Sequence, residues 1–316
     1  MKRKDDLETK TIAELVRLYQ SGPGAEDAVG PEIKRRGIPA RDELIRMLDA
    51  VPEADRDGDT ADTITELLEL KFPSAESLEA LERFHARDAG PHRWTLDLRR
   101  ATVLRAKLNG AMDEAWRNER RRKAPAEAHL HYEETLLANA LPDDRLEYLV
   151  AAVRAALKAW RAARQAGDAM LESADQAKIE AYAGEILATP GLAAKSGDGV
   201  YFANHALGIL ALARGDVETA KQRLMEASKT PGSFMLNRVP GPNWSLALAL
   251  VERGEGEIVC EFLDNVKLFM SWPSAPALTR KDALIDRWKK EIRSGRKPTV
   301  DDWVNEWFGW KAKRRR

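Results

Sequence analysis

Residues 201–231 read YFANHALGILALARGDVETAKQRLMEASKTP. Its apolar residues recur at the three- and four-residue spacing of an amphipathic helix on both sides of Gly215. Gly215 stands where the chain must reverse, because glycine easily adopts the left-handed conformation that follows a helix end. The small residues Gly208, Ala220 and Ala227 allow two helix backbones to approach closely. The stretch therefore predicts a pair of antiparallel helices joined by a tight turn.

The same arrangement recurs 39 residues later, where Gly254 takes the place of Gly215. Leu246 and Ala247 precede this second glycine as Leu207-Gly208 precedes the first. A repeated helix pair is typical of proteins in which each pair covers the apolar face of its neighbour. The second copy therefore predicts a stack of such pairs.

Helical spacing of apolar residues, interrupted by Gly, Pro or Asn, extends over nearly the whole chain. The composition agrees, because 48 Ala and 36 Leu favour helices, whereas only 11 Ile and 14 Val are present to favour strands. The sequence predicts an all-α fold with about sixteen helices, near 9–20, 25–36, 40–51, 60–71, 75–88, 92–109, 111–123, 126–141, 143–166, 173–188, 200–214, 216–229, 243–253, 255–270, 280–294 and 300–311.

The quoted stretch resembles a tetratricopeptide repeat (TPR), a helical unit of 34 residues. The chain departs from the repeat pattern at Asn204, where an aromatic residue is usual, and at Ala211, where a Tyr is usual. The resemblance covers about 201–270 and implies a right-handed α-solenoid of antiparallel helix pairs. Residues 9–90 resemble HEAT-like or other α-solenoid repeats only loosely. The matching positions are Leu207-Gly208, Gly215, Ala220, Leu224, Ala227 and Pro231.

The resemblance also guides the division of the chain into parts. We expect N-terminal helical repeats at 1–90, a TPR-like helical solenoid at 91–298, and a C-terminal capping or docking helix with a basic tail at 299–316. Short motifs near the end also resemble the endings of bacterial repeat proteins, namely Gly241-Pro242-Asn243, Arg253-Gly254-Glu255, Asp286-Arg287-Trp288 and Gly295-Arg296.

A TPR-like solenoid implies a groove lined by the first helix of each pair. Helical periodicity directs five residues toward this groove, namely Phe202, His205, Leu212, Trp244 and Leu248. Repeats of this class that grip a C-terminal carboxylate carry Asn where Ile209 and Leu248 stand. An apolar helix or an extended segment is therefore the expected ligand. We expect a non-catalytic scaffold or adaptor that binds another protein.

Charge is segregated along the chain, although 51 basic and 51 acidic residues give a net charge of zero. Residues 49–69 contain eight acidic residues and one basic residue, whereas residues 93–123 contain ten basic and four acidic residues. A solvated helix face is the plainer interpretation of the basic stretch. The alternative function is a nucleic-acid-binding solenoid that contacts phosphates through Arg99, Arg100, Arg105, Arg117, Arg120, Arg121 and Arg122.

Tryptophan is concentrated near the C-terminus, where five of the nine residues fall within the last 45 positions. Trp303, Trp307 and Trp310 share one face of the helix predicted near 300–311. Such a stripe either seals the open end of a solenoid or docks on another protein. The basic tail that begins at Lys311 adds electrostatic attraction to an acidic surface.

The sequence contains no constellation typical of catalysis or metal binding. His129 and His131 are two residues apart and lie on different sides of a helix, whereas a zinc helix needs a pair four apart. The acidic residues at 53–59 copy the first half of a calcium loop, but Ile64 stands where the bidentate Glu is required. Cys260 lies in an apolar run and is interpreted as a small buried residue. We expect no cofactor and no metal, and a helical enzyme is the least favoured function.

The apolar residues also bear on the location of the protein. No window approaches 18 uninterrupted apolar residues, so we expect no membrane-spanning helix and no membrane partner. The single cysteine fits a reducing compartment. We therefore expect a cytoplasmic protein.

Overall fold

The computed structural model of this 316-residue chain describes residues 7–21, 25–52, 58–87, 96–111, 125–233, 236, 242–270 and 275–299. Within these ranges the protein is helical and contains no β-strand, which confirms the predicted all-α class. Two of the predicted helices, near 111–123 and 300–311, fall on residues that are not described, apart from position 111. Each of the other predicted helices is present, with ends that differ by a few residues.

The chain separates into two compact units. The first unit extends beyond the predicted boundary at residue 90, because the helix at Leu96–Leu108 packs against helices of the same unit. Unit 1 comprises Met1–Ala124 and Glu134–Pro142, and unit 2 comprises Pro125–Glu133 and Asp143–Arg316.

Unit 1 is built around one central helix, α4, which packs against α1, α2, α3, α5 and α6. Four apolar residues of α4 are completely buried, namely Ala61, Ile64, Leu67 and Leu68. Their spacing of three and four residues places them on the apolar side of the helix. The bounds are α1 (Ile12–Tyr19), α2 (Ala25–Arg35), α3 (Ile38–Asp49), α4 (Asp59–Lys71), α5 (Ala75–Ala86) and α6 (Leu96–Leu108), and the next helix, α7 (Ala126–Ala138), contributes residues to both units.

Unit 2 is a succession of helical hairpins. Helix α8 packs against α9, α11 against α12, and α13 against α14. Successive hairpins are also in contact, because α11 touches both α8 and α9, and α13 touches both α11 and α12. The bounds are α8 (Arg145–Ala166), α9 (Ala169–Leu187), α10 (Leu192–Lys195), α11 (Gly197–Ala213), α12 (Val217–Ala227), α13 (Ser245–Glu252), α14 (Gly256–Phe269) and α15 (Ala275–Arg293).

The turns of the three hairpins share one backbone design. Gly167, Gly215 and Gly254 have φ angles of 72°, 82° and 85°, in the left-handed region that favours glycine. The residue after each glycine donates its N–H to the carbonyl five residues earlier, which is the Schellman arrangement. The turns predicted at Gly215 and Gly254 are thus confirmed. The three bonds are Asp168 N to Ala163 O (3.0 Å), Asp216 N to Ala211 O (2.9 Å) and Glu255 N to Leu250 O (3.0 Å).

The small residues predicted at helix crossings are buried as expected. Ala220 and Ala227 of α12 are 0% and 1% exposed. A Cβ atom on Gly208 of α11 would lie only 2.5 Å from Cδ2 of Leu246 in α13. Glycine at this position therefore allows α11 and α13 to pack at their observed separation.

Candidate functional site

The residues predicted to line a partner groove belong to unit 2, where most of them are buried. Phe202, His205, Leu212 and Trp244 are at most 9% exposed, and Leu248 is half-buried. Helical periodicity identified the inner face of α11 and α13 but did not reveal that neighbouring helices cover it. Four of the five are therefore core residues rather than an open surface. A direct contact between them and a partner stays a prediction.

A polar cluster links the first helices of three successive hairpins. Nη2 of Arg161 in α8 donates to Oγ of Ser245 at 2.8 Å, and Oγ of Ser245 lies 3.0 Å from Nε2 of His205 in α11. Burial lowers the pKa of His205 to about 3, and the charge of Arg161 acts in the same direction. The imidazole is therefore neutral at pH 7, and its Nε2 shares a hydrogen bond with the hydroxyl of Ser245. A base of such low pKa is poorly matched to proton abstraction near neutral pH, so the pair serves to join helices.

Helix α8 also carries three cations on one face. Arg154, Lys158 and Arg161 are spaced i, i+4 and i+7, which aligns them along the helix. Arg154 and Lys158 are exposed, and Arg161 is half-buried. Arg154 lies over the ring of Phe202 at 4.7 Å from its centroid. We call this set the α8 basic stripe. In the sequence alone, three cations in an alanine-rich helix are indistinguishable from an ordinary solvated face.

Unit 2 contains a surface groove of about 490 Å³. Its lining is mainly acidic, since four carboxylates face two cations and one apolar side chain. The lining residues are Lys221 of α12, Glu255 before α14, Glu257, Ile258, Glu261 and Asp264 of α14, and Arg293 of α15. We call this feature the acidic groove.

Most carboxylates of the acidic groove have a cation beside them. Nζ of Lys221 lies 3.2 Å from Glu255, and Nε of Arg293 lies 3.5 Å from Glu257. Asp264 is paired with Lys289 of α15 at 2.5 Å. Glu261 differs, because it is exposed and makes no hydrogen bond or ion pair in the described part of the chain. The groove therefore retains an excess of negative charge centred on Glu261.

The described part of the predicted basic patch is engaged within unit 1. Nη1 of Arg100 lies 2.5 Å from Oδ1 of Asp62, and Nη2 of Arg105 lies 2.5 Å from Oε1 of Glu82. Arg99 is half-buried. The basic segment 93–123 thus meets the acidic segment 49–69 through Arg100 and Asp62, whereas Arg105 pairs with Glu82 of α5. The other members of the patch, Arg117, Arg120, Arg121 and Arg122, lie outside the described residues.

Aromatic residues pack together beside the last hairpin of unit 2, which α13 and α14 form. The ring of Trp244 packs edge-to-face on Trp288 at 5.2 Å and on Phe262 at 6.3 Å. Trp288 of α15 is 2% exposed, so one of the C-terminal tryptophans is a core residue. The tryptophan stripe predicted at Trp303, Trp307 and Trp310, and the basic tail, lie outside the described residues.

The groups capable of redox or metal chemistry are few. Cys260 is 1% exposed and unpaired, and burial raises its pKa, which confirms its interpretation as a small buried residue. Among the residues that the structure describes, no set of three or more His, Cys, Asp or Glu is arranged to hold a metal ion. A search of the same residues finds no helix with the length and apolar character needed to cross a membrane.

Comparisons with known protein families, with curated proteins and with solved structures find no match to this chain.

Proposed function

We propose that this protein is a non-catalytic scaffold or adaptor that binds a polypeptide partner in the acidic groove. The proposal includes a TPR-like, right-handed α-solenoid of about sixteen helices. The recurrence of one Schellman turn at Gly167, Gly215 and Gly254 supports a repeated hairpin unit. Contacts between successive hairpins support their stacking. Such stacks form extended surfaces that hold other polypeptides.

The observation that carries the proposal is the unbalanced charge of the acidic groove. Glu261 projects without a cation from the middle of α14, between the paired Glu257 and Asp264. Ile258 provides an apolar surface among these carboxylates. A polypeptide with a Lys or Arg beside an apolar side chain complements both features. This ligand differs from the apolar segment expected from the sequence, because the groove lies on α12, α14 and α15.

Two further observations favour binding over catalysis. The imidazole of His205 is buried and weakly basic, and the thiol of Cys260 is buried with a raised pKa. Neither group is suited to act as a nucleophile or base near neutral pH. A cytoplasmic location belongs to the same proposal and is supported by the unpaired, buried thiol.

The proposal is tested by fluorescence anisotropy with a rhodamine-labelled helical peptide that carries three Lys residues and one Leu on one face. We expect Glu261→Arg to weaken binding about tenfold, because the substitution replaces an attraction with a repulsion. The matched control is Glu79→Arg, which makes the same charge change at an exposed position in the middle of α5 of unit 1. Equal affinities for the two variants would contradict the proposed groove.

The scaffold role has its own test in the native host. Cross-linking followed by pull-down should recover a polypeptide with the full-length wild type and much less of it with Glu261→Arg. Recovery of no protein at any salt concentration would exclude the scaffold function even if the peptide binds.

A further inference from the structure

The α8 basic stripe is a second charged surface of unit 2, and the acidic groove does not involve it. Arg154, Lys158 and Arg161 span seven residues of helix, or about 10 Å along its axis. The three cations therefore present a short row of positive charge rather than a single point.

The three cations of the stripe differ from most other arginines and lysines of the described residues in their lack of an ion pair. Within the described part of the chain, none of them makes an ion pair. The half-buried cations of unit 1 behave differently, because Arg100 pairs with Asp62 and Arg105 pairs with Glu82. Other arginines of α8 are also neutralised within the fold, since Arg145 pairs with Glu185 and Arg164 pairs with Glu172, but the three cations of the stripe are not.

Arg161 is the half-buried member of the stripe, so the absence of an ion pair costs more stability at this residue than at Arg154 or Lys158. Its guanidinium has five N–H donors, and its single hydrogen bond in the described residues is to the neutral hydroxyl of Ser245. Burial lowers its pKa, since the charged form has lost part of its hydration. A desolvated cation without a counter-ion lowers the stability of the folded protein. The remaining donors are available to an external anion.

The groups that surround the stripe do not cancel its charge. His205 faces Arg161 from α11 and is neutral. Asp198, also of α11, lies near Arg154, but it already accepts a hydrogen bond from Ser233 at 2.5 Å. Burial raises the pKa of Asp198 against the opposing effects of Ser233 and Arg154. Asp198 therefore offsets part of the charge of Arg154, whereas Lys158 and Arg161 make no ion pair with a carboxylate in the described residues.

We infer that the α8 basic stripe binds an acidic segment of a polypeptide, with carboxylates that align with Arg154, Lys158 and Arg161. A helical ligand with Glu residues three and four positions apart matches the spacing of the stripe. The aromatic residue next to the stripe is Phe202, and its ring is buried beneath Arg154. A polypeptide is favoured over a nucleic acid because, among the described residues, the ring beside the stripe is buried and cannot stack on a base.

The test is an anisotropy titration of the full chain with a rhodamine-labelled helical peptide that carries Glu residues at i, i+4 and i+7. A peptide with Gln at the same positions serves as the uncharged reference. We expect the Glu peptide to bind at least about tenfold more tightly than the Gln peptide at 50 mM salt, and this difference to shrink at 200 mM because salt screens the attraction. Lys158→Glu should weaken binding of the Glu peptide about tenfold.

The control variant is Lys34→Glu, the same charge change at an exposed lysine of α2 in unit 1. Affinity for the Glu peptide should be unchanged in this variant. Arg161→Met provides a second readout, because loss of binding should come without a lower melting temperature. A structural arginine would show the opposite result, with reduced stability and unchanged binding.

Three results would overturn the inference. The first is equal binding of the Glu and Gln peptides at 50 mM salt. The second is single-stranded DNA that binds as tightly as the Glu peptide and responds equally to Lys158→Glu, which would assign the stripe to nucleic acid. The third is an oligomer in sedimentation velocity that Lys158→Glu dissociates, which would make a second copy of the chain the occupant. The probe differs from the Lys peptide used for the acidic groove, so failure of one test leaves the other intact.

Discussion

The close approach of α11 and α13 at Gly208 allows a direct test of the packing in unit 2. In Gly208→Ala, the new Cβ would lie 2.5 Å from Cδ2 of Leu246 and 3.2 Å from Cβ of Arg223. Leu246 is completely buried, so its side chain has little space into which it can move. Overpacking of this kind costs about 1–3 kcal/mol. The higher helix propensity of alanine offsets about 1 kcal/mol of this cost.

Gly184 of α9 is the matched control, because it is also a helical glycine of unit 2. A Cβ at this position would meet no atom within 4 Å. We therefore expect Gly184→Ala to stabilise the protein by about 0.5–1 kcal/mol, whereas Gly208→Ala ranges from neutral to destabilising by about 2 kcal/mol. For a unit of this size, 1 kcal/mol shifts the melting temperature by about 2–4 °C. The two midpoints should thus differ by about 1–12 °C in thermal unfolding followed by circular dichroism.

The contact with Leu246 can be isolated by a double-mutant cycle. If Cδ2 of Leu246 is the obstacle, Gly208→Ala should cost little in a protein that already carries Leu246→Ala. The coupling energy should then be about 0.5–3 kcal/mol. Equal stabilisation by Gly208→Ala and Gly184→Ala in the wild-type background, or zero coupling in the cycle, would refute the proposed reason for glycine at 208.

Two further predictions concern charged side chains. Burial is the main cause that raises the pKa of Glu147 from 4.5 to about 7, and the charges of Asp198 and Asp144 add to it. The folded protein therefore binds the carboxyl proton of Glu147 more tightly than the unfolded chain does. As a result, the protein loses stability as the pH rises from about 4.5 to 7. In urea unfolding, Glu147→Gln should therefore stabilise the protein by about 1–3 kcal/mol at pH 8 and have little effect at pH 4. An equal effect at both pH values would contradict the raised pKa of Glu147. Arg100→Met should destabilise unit 1 by about 1–3 kcal/mol, because Asp62 and Thr65 lose a charged donor. Lys34→Met, at an exposed position of α2, is the control for this variant in the same assay, and equal midpoints would show that the Arg100 contacts contribute nothing.

The hairpins of unit 2 were predictable because their signals are local. A glycine after an apolar helical stretch marks a left-handed turn, and small residues at fixed offsets mark a close crossing. Gly215, Gly254 and Gly208 carried these signals, and the structure confirms them. The turn at Gly167-Asp168 has the same Gly-Asp pair as Gly215-Asp216 and was missed. The shared Gly-Asp pair would have predicted a turn at Gly167 and the start of α9 directly after Asp168.

The burial of the inner face of α11 could not be predicted from the sequence. Periodicity states which residues share a face, but burial of that face depends on distant parts of the chain. Phe202 is covered in part by Arg154 of α8, and His205 meets Ser245 of α13. Neither contact follows from the spacing of residues within α11. The same limit applies to the acidic groove, whose lining comes from three helices that are separate in sequence.

Charged side chains form ion pairs within both units. In unit 1 Arg100 pairs with Asp62, and Lys107 pairs with Glu69 at 2.7 Å, so these attractions stabilise the fold. In unit 2 Arg145 pairs with Glu185, but within the described residues the α8 basic stripe makes no ion pair and Glu261 pairs with no cation. Unpaired charges contribute little to the stability of a monomer, and a partly buried one such as Arg161 reduces it. A ligand of opposite charge supplies the missing ion pairs and so lowers the free energy of the complex. Both proposed binding surfaces therefore lie in unit 2.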